Sequence, residues 1–254
     1  MPEIVISKET INRLAKDVKQ IIKNPLVENR IFYKHDEDNI LKGKALIIGP
    51  EGTPYENGNY LFEFEFPVNY PHSPPKVIFH TNDGFTRFNP NLYRSGKVCI
   101  SILNTWKGDQ WSSCQTISSI LLTLCTVLNE NPLLNEPGVK ETDKDIVSYN
   151  KILAYKNISV GIVNVLDKDF FTTKFSEFRE IICQEFRNNY NKIVSQIEEN
   201  IKDDGKELHT AWYSSYNSAG EYKPHRAVLS YKDLKKKIKM MFEKHIHNKE
   251  NIIV

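Results

Sequence analysis

No stretch of the 254-residue chain reaches the roughly 18 consecutive apolar residues of a membrane span, and Met1 to Lys23 is charged throughout instead of carrying a signal peptide's apolar run. Both absences lead us to expect an intracellular protein, of the cytoplasm or the nucleus, with no membrane partner. Excess charge is missing too: 34 basic residues against 32 acidic leave +2, which gives no bulk signal for nucleic acid or an acidic surface. Cysteine is scarce. The four present, Cys99, Cys114, Cys125 and Cys183, make no C-x-x-C pair and have no histidine at a zinc-ligand offset, which argues against disulfides and structural zinc. The stretch Gly49 to Gly58 lacks the order of a phosphate loop, and its prolines remove backbone donors, so it reads as a connection. Asn157-Ile158-Ser159 matches a glycosylation acceptor, but it falls in a helical pattern and reads as chance. There is no internal repeat.

What remains is a composition, 40% hydrophobic and 26% charged, that can bury a sizeable core. Ser7 can cap a helix whose apolar positions Ile11, Leu14, Ala15, Val18, Ile21 and Ile22 follow the helical period, with Pro25 beyond its end. Its other face carries Lys8, Arg13, Lys16, Lys19 and Lys23. Strand-like runs follow at Val27 to Tyr33, Leu41 to Ile48, Tyr60 to Phe66 and Val77 to His80, and their short connections predict an antiparallel meander. In the third run Tyr60, Phe62, Phe64 and Phe66 share one parity and Leu61, Glu63 and Glu65 the other, so one face should be core and the other largely wet. Thr116 or Ser118 can open a helix with Ile117, Ile120, Leu121, Leu124 and Leu128 on one face, and Cys125 should face the core as well. Ile146 to Val163 suggests another helix, broken near Gly161. Phe175, Phe178, Ile182, Phe186, Ile193, Ile197 and Ile201 then predict one long amphipathic helix. A polar link from Asp203 to Arg226 leads to a last helix from Ser230 to about His247, with Ser230 and Asp233 at capping-box-like spacing and a basic run at Lys235, Lys236, Lys237 and Lys239.

One stretch organises the rest: FNPNLYRSGKVCISIL, Phe88 to Leu103, which sets Cys99 eight residues after Asn91 across a Ser95-Gly96 turn. Taken alone, a cysteine between Val98 and Ile100 is a small apolar strand residue. Its context says otherwise. Gly49-Pro50-Glu51-Gly52-Thr53-Pro54-Tyr55-Glu56, Phe66-Pro67, Tyr70-Pro71 and Pro74-Pro75-Lys76-Val77 stand upstream, and Trp111-Ser112 and Thr116-Ile117-Ser118 downstream. In that order the set resembles the catalytic domain of the ubiquitin-conjugating enzymes. The resemblance is carried by Gly49 to Gly138. Asn89-Pro90-Asn91, with Arg87-Phe88, Leu92-Tyr93, Asn104-Thr105-Trp106 and Asn135-Glu136-Pro137-Gly138, resembles one branch of that family, which holds the Z-type enzymes and the giant conjugating enzyme and ligase hybrids such as BRUCE.

The resemblance implies an α+β fold, a four-stranded antiparallel meander flanked by helices. The catalytic domain would span residues 1–168 and a C-terminal helical extension residues 169–254. It implies that Cys99 accepts ubiquitin, or a ubiquitin-like modifier, from an activating enzyme as a thioester and passes it to a lysine of a substrate or ligase. No cofactor is expected, because the activating enzyme spends the ATP. A thiol with a pKa of about 8.5 is nucleophilic enough without a partner histidine. Asn91 matches the asparagine that steadies the neighbouring loop and donates to the developing oxyanion, and otherwise reads as a turn asparagine. Asn89 replaces the family's histidine and keeps both donor and acceptor. Asn135 and Glu136 match the acidic or polar residue that helps an incoming lysine, Glu136 otherwise being an ordinary loop acid. Partners would be the modifier, an activating enzyme met through Lys8, Arg13, Lys16 and Lys19, and a ubiquitin ligase. Three departures stand out: a longer loop between Cys99 and Trp111, His72 in place of an aromatic, and Ser112-Ser113-Cys114 in place of Ser-Pro-Ala. Since the last two lie on the family's ligase-docking surface, ordinary ring-finger ligases are expected to bind poorly. The rival reading is an inactive module of the same fold that binds ubiquitin without chemistry, although such relatives generally lack the cysteine.

Overall fold

The computed structural model describes residues 5–216 and 222–250. Helix α1 (Lys8–Lys23) begins where expected, the Ser7 hydroxyl accepting from the Thr10 N–H at 3.0 Å. It buries Leu14 and Ile21 but leaves Ile11 and Ile22 exposed, so its apolar stripe is narrower than the sequence suggested. Val27–Asn29 is a 3₁₀ turn and not strand; Arg30, in the left-handed region at φ 56°, redirects the chain into β1 (Ile31–His35). With β2 (Lys42–Ile48), β3 (Asn59–Glu65) and β4 (Lys76–Phe79) it forms the antiparallel sheet β1-β2-β3-β4.

The inner face of that sheet holds the first core. Tyr60, Phe62 and Phe64 of β3, with Phe79 and Phe88, pack against α2 (Ile117–Val127) through Ile117, Ile120, Leu121 and Leu124. Thr116 caps α2 in a reciprocal box with Ser119, which serves two backbone groups that the helix itself leaves unpaired. Helix α3 (Asp145–Lys156) adds Tyr149 and Leu153. It does not break at Gly161: it widens into a π-helical stretch, Asn157–Asn164, and runs on into α4 (Val165–Asp167). There Gly161 lies against the Gly58 Cα and its carbonyl accepts from Asn59 Nδ2 at 2.9 Å, a close approach that its missing side chain allows.

The outer face is the larger surprise, because it is not wet. Leu46, Ile48 and Leu61 are at most 1% exposed and join a second core with Phe171 of α5 (Asp169–Lys174), Phe175, Phe178, and Ile182, Phe186, Ile193 and Ile197 of α6 (Arg179–Asn200). Phe175 and Phe178 sit in the turns before α6, so the expected single helix starts at Arg179. Near its centre the polar members of that face are paired and largely covered, whereas the Glu65 side chain at the end of β3 stays half-exposed. Glu63 meets Lys174 at 2.7 Å and His80 at 3.0 Å, and Lys44 meets Glu177 at 3.0 Å. Burial pushes the Glu63 carboxyl up, but Lys174 and His80 outweigh it and hold the group below its ordinary range.

The segment expected to be a polar link is a β-hairpin, β5 (Glu207–Tyr216) with β6 (Tyr222–Val228). Helix α7 (Tyr231–Glu250) follows and packs Leu234 and Ile238 into the second core. Its first turn is served by Asp204, which accepts from the Lys232 N–H at 3.0 Å, not by the Ser230 and Asp233 pair. Lys235 and Lys236 of its basic run pair with Glu198 and Asp233. Among the described residues no helix is long and apolar enough to cross a membrane.

Candidate active site

Beyond β4 the chain turns back on itself, Leu92 bridging Val98 and Ile78 bridging Lys97. The turn needs glycine at position 96. Its φ is +86°, and a Cβ there would stand 2.8 Å from the Phe79 carbonyl, which belongs to the strand the turn leans on. That reversal brings Asn91 beside Cys99. The Cys99 N–H donates to the Asn91 carbonyl at 2.8 Å, and Asn91 Nδ2 donates to the Cys99 carbonyl at 2.6 Å. Two reciprocal bonds therefore fix the cysteine's backbone. The Thr105 hydroxyl closes the other side, accepting from the Ile100 N–H at 3.1 Å. The long loop beyond it folds back, with Asn104 Oδ1 accepting from the Trp111 N–H at 2.8 Å and Trp111 Nε1 donating to the Pro71 carbonyl at 2.7 Å.

Cys99 is 2% exposed, so only a slender group can reach its sulfur. Burial pushes the thiols of Cys125 and Cys183 up, which lowers their thiolate fraction. Cys114 is exposed.

Asn89 is a brace. Its Nδ2 donates to Tyr55 Oη at 2.9 Å and to the Val127 carbonyl at 2.7 Å, while its Oδ1 accepts from the Asn91 N–H at 2.9 Å and from Asn135 Nδ2 at 3.4 Å. All of its polar capacity goes to holding Asn91 against the end of α2. Asn91 is less committed, because its Oδ1 is buried with no partner among the described residues and its amide has a second hydrogen to give. Of the two candidates beyond α2, Asn135 is consumed by this brace, bonding Asn129, Asn89 and the Val127 carbonyl. Glu136 is half-buried, and its Oε2 accepts from the Tyr213 hydroxyl of β5 at 2.8 Å.

Two arginines complete the surroundings. Arg87 Nε and Nη2 donate to the carbonyls of Asn89 and Pro90 at 3.0 and 2.7 Å, and its guanidinium lies 3.3 Å from the centre of the Tyr93 ring. Arg94, inside the turn, donates to the Tyr213 carbonyl at 2.6 Å. In the sequence Arg87, Tyr55 and Arg94 stand within motifs that carry the resemblance but with no role assigned, while Tyr213 lies in no motif. Of the basic face of α1, Lys8, Lys16, Lys19 and Lys23 are exposed, but Arg13 is turned inward. It pairs with Asp17 at 3.0 Å and donates to the carbonyls of Ser113 and Gln115.

A four-stranded antiparallel sheet flanked by helices, with a buried cysteine fixed beside an asparagine, is the α+β arrangement that the sequence resemblance implied. Residues 13–158 match the family described as ubiquitin-conjugating enzyme, and the chain belongs to that family. It is 36% identical over 196 residues to ubiquitin-conjugating enzyme E2 Z of Xenopus tropicalis, covering 70% of this chain and 61% of that protein. Against E2 Z of Homo sapiens it is 37% identical over 190 residues, covering 68% and 52%. Against the human dual E2 ubiquitin-conjugating enzyme/E3 ubiquitin-protein ligase BIRC6 it is 37% identical over 207 residues, covering 78% of this chain and 4% of that protein. The chain thus spans between half and two thirds of the length of the E2 Z relatives.

Proposed function

We propose that Cys99 accepts ubiquitin, or a ubiquitin-like modifier, by transthiolation from an activating enzyme and delivers it to a lysine. The observation that carries this reading is Asn91 held against Cys99 by a reciprocal pair of bonds with one amide hydrogen still to give. Transthiolation exchanges one sulfur for another and needs little assistance. Attack by an amine is harder: a lysine with a pKa near 10.4 is almost wholly protonated at neutral pH, and the carbonyl oxygen gains charge as the bond forms. The second amide hydrogen of Asn91 serves that oxygen, and Glu136, through the oxygen that Tyr213 leaves free, takes the amine's proton. Asn89 acts one step back as a positioning residue. Low exposure of Cys99 suits an extended chain terminus. ATP is consumed by the activating enzyme, so this chain binds no cofactor. Of the four cations expected to meet that enzyme, Lys8, Lys16 and Lys19 stay exposed, while Arg13 instead fixes the loop at Ser113 on the ligase-facing side. His72 is exposed and 3.1 Å from Glu9, a polar surface that suits ordinary ring-finger ligases poorly.

Incubation with activating enzyme, ATP and ubiquitin tests the reading. An adduct lost on thiol reduction is expected, absent in Cys99→Ala and replaced by a reductant-resistant ester in Cys99→Ser. An undiminished thioester in Cys99→Ala would overturn it.

A further inference from the structure

The β5–β6 hairpin reaches Glu136, Arg87 and, through Arg94, the turn before Cys99 from one place. Its register shifts between Thr210 and Ser215, and inside that bulge Tyr213 takes φ +63°, an uncommon conformation for a large side chain. The bulge is held from outside. Asp145 Oδ2 accepts from the Ala211 and Trp212 N–H groups at 2.6 and 3.4 Å, and Trp212 Nε1 donates to Asp143 Oδ2 at 3.0 Å. Held so, Tyr213 offers three contacts in three directions. Its hydroxyl reaches Glu136, its carbonyl receives Arg94 of the turn between Asn91 and Cys99, and its ring lies 5.0 Å from the Arg87 guanidinium that grips the Asn89 and Pro90 carbonyls. The neighbouring His225 accepts from the Arg87 N–H at 3.2 Å, and Tyr149 donates to the Arg87 carbonyl at 2.7 Å.

We propose that Tyr213 is a positioning residue for acyl transfer: it aims the Glu136 carboxylate and locks the turn that carries Cys99 to the loop that carries Glu136. This rests on the proposed conjugating chemistry. A carboxylate at a loop end is free to rotate, and a proton acceptor misplaced by an ångström loses much of its effect. One oxygen tied to a half-buried phenol fixes the rotamer and leaves the other oxygen for the amine. Burial, and then the Glu136 carboxylate, push the Tyr213 hydroxyl far up, so it stays a donor throughout the neutral range. The charged and titratable groups facing the pair are Arg87, Arg94, Tyr55, Tyr149 and His225.

The test uses the full chain, charged on Cys99 and followed in single-turnover discharge to free lysine across pH 6 to 10. In Tyr213→Phe, which keeps the ring, discharge at neutral pH should slow by about tenfold and the rate profile should move to higher pH, toward the titration of the free amine. Charging by the activating enzyme should fall less than threefold. Glu136→Gln should show the same displaced profile, and the double variant should lose no more than Glu136→Gln alone, since both act through one carboxylate. A parent profile for Tyr213→Phe, or losses that add in the double variant, would overturn the positioning role while leaving the conjugating function intact. Failure of the parent chain to charge on Cys99 would instead overturn both.

Discussion

At the scale of single residues, the site divides between what touches the reacting atoms and what holds those residues still. Asn91→Ala should slow lysine discharge by about 10²-fold or more if its amide serves the oxyanion, while charging of Cys99 falls only a few-fold. Single-turnover measurement of the two steps checks this, and equal losses would assign Asn91 to folding. Asn89→Ala, which unpairs the Tyr55, Val127 and Asn91 groups together, should act mainly on stability. His225 makes a separate prediction. Burial, and then Arg94, hold its ring down at about 4 against an ordinary 6.5, so between those values the unfolded chain takes a proton that the folded chain refuses. Its contribution is intact above pH 6.5 and is lost as pH falls toward 4, by up to about 3 kcal/mol. Denaturant melts of the parent and His225→Gln across pH 4 to 7 should show the smaller acid loss in the variant. Cys99, Asn91, Asn89 and Glu136 stand out in the sequence as candidates because they lie in ordered motifs. Tyr213 and Arg94 do not, since each acts through a contact more than 70 residues distant.

Among the elements, α1, α2 and the four strands followed from periodicity and punctuation, with errors of a few residues at their ends. The hairpin did not. Pro224 lies in β6, and the bulge around Tyr213 breaks the alternation by which a strand is recognised. The outer face of β3 misled for another reason: Glu63 and Glu65 alternate with aromatics as wet positions do, but Lys174 and His80 pair Glu63 and the C-terminal helices cover Leu61. Phe178, fully buried between the sheet and α6, tests that covering. Phe178→Ala should cost about 3 to 5 kcal/mol in a chemical melt, whereas the same change at Phe85, 81% exposed, should cost almost nothing. Equal effects would mean that the second core contributes little.

For the molecule as a whole, the two cores share one sheet, the first facing α2 and the second facing α6 and α7. Removal of everything after residue 168 should therefore uncover part of the face formed by Leu46, Ile48 and Leu61, leaving only the residues of the 152–166 stretch against it, and the shortened chain should bind a hydrophobic dye and melt at lower temperature; an unchanged melt would show the outer face stable without its cover. The same arrangement matters while the protein is being made. A chain leaves the ribosome from its N-terminus, so the sheet and its inner core can assemble before Ile238, which closes the outer core, has been synthesised. During that interval an apolar sheet face stands open in the nascent chain, a surface suited to chaperone binding and to mispairing with other chains. Once the segment from Phe171 to Ile238 has emerged it withdraws that surface, and the same segment carries the hairpin that reaches Glu136, so cover and site are completed by one stretch of chain.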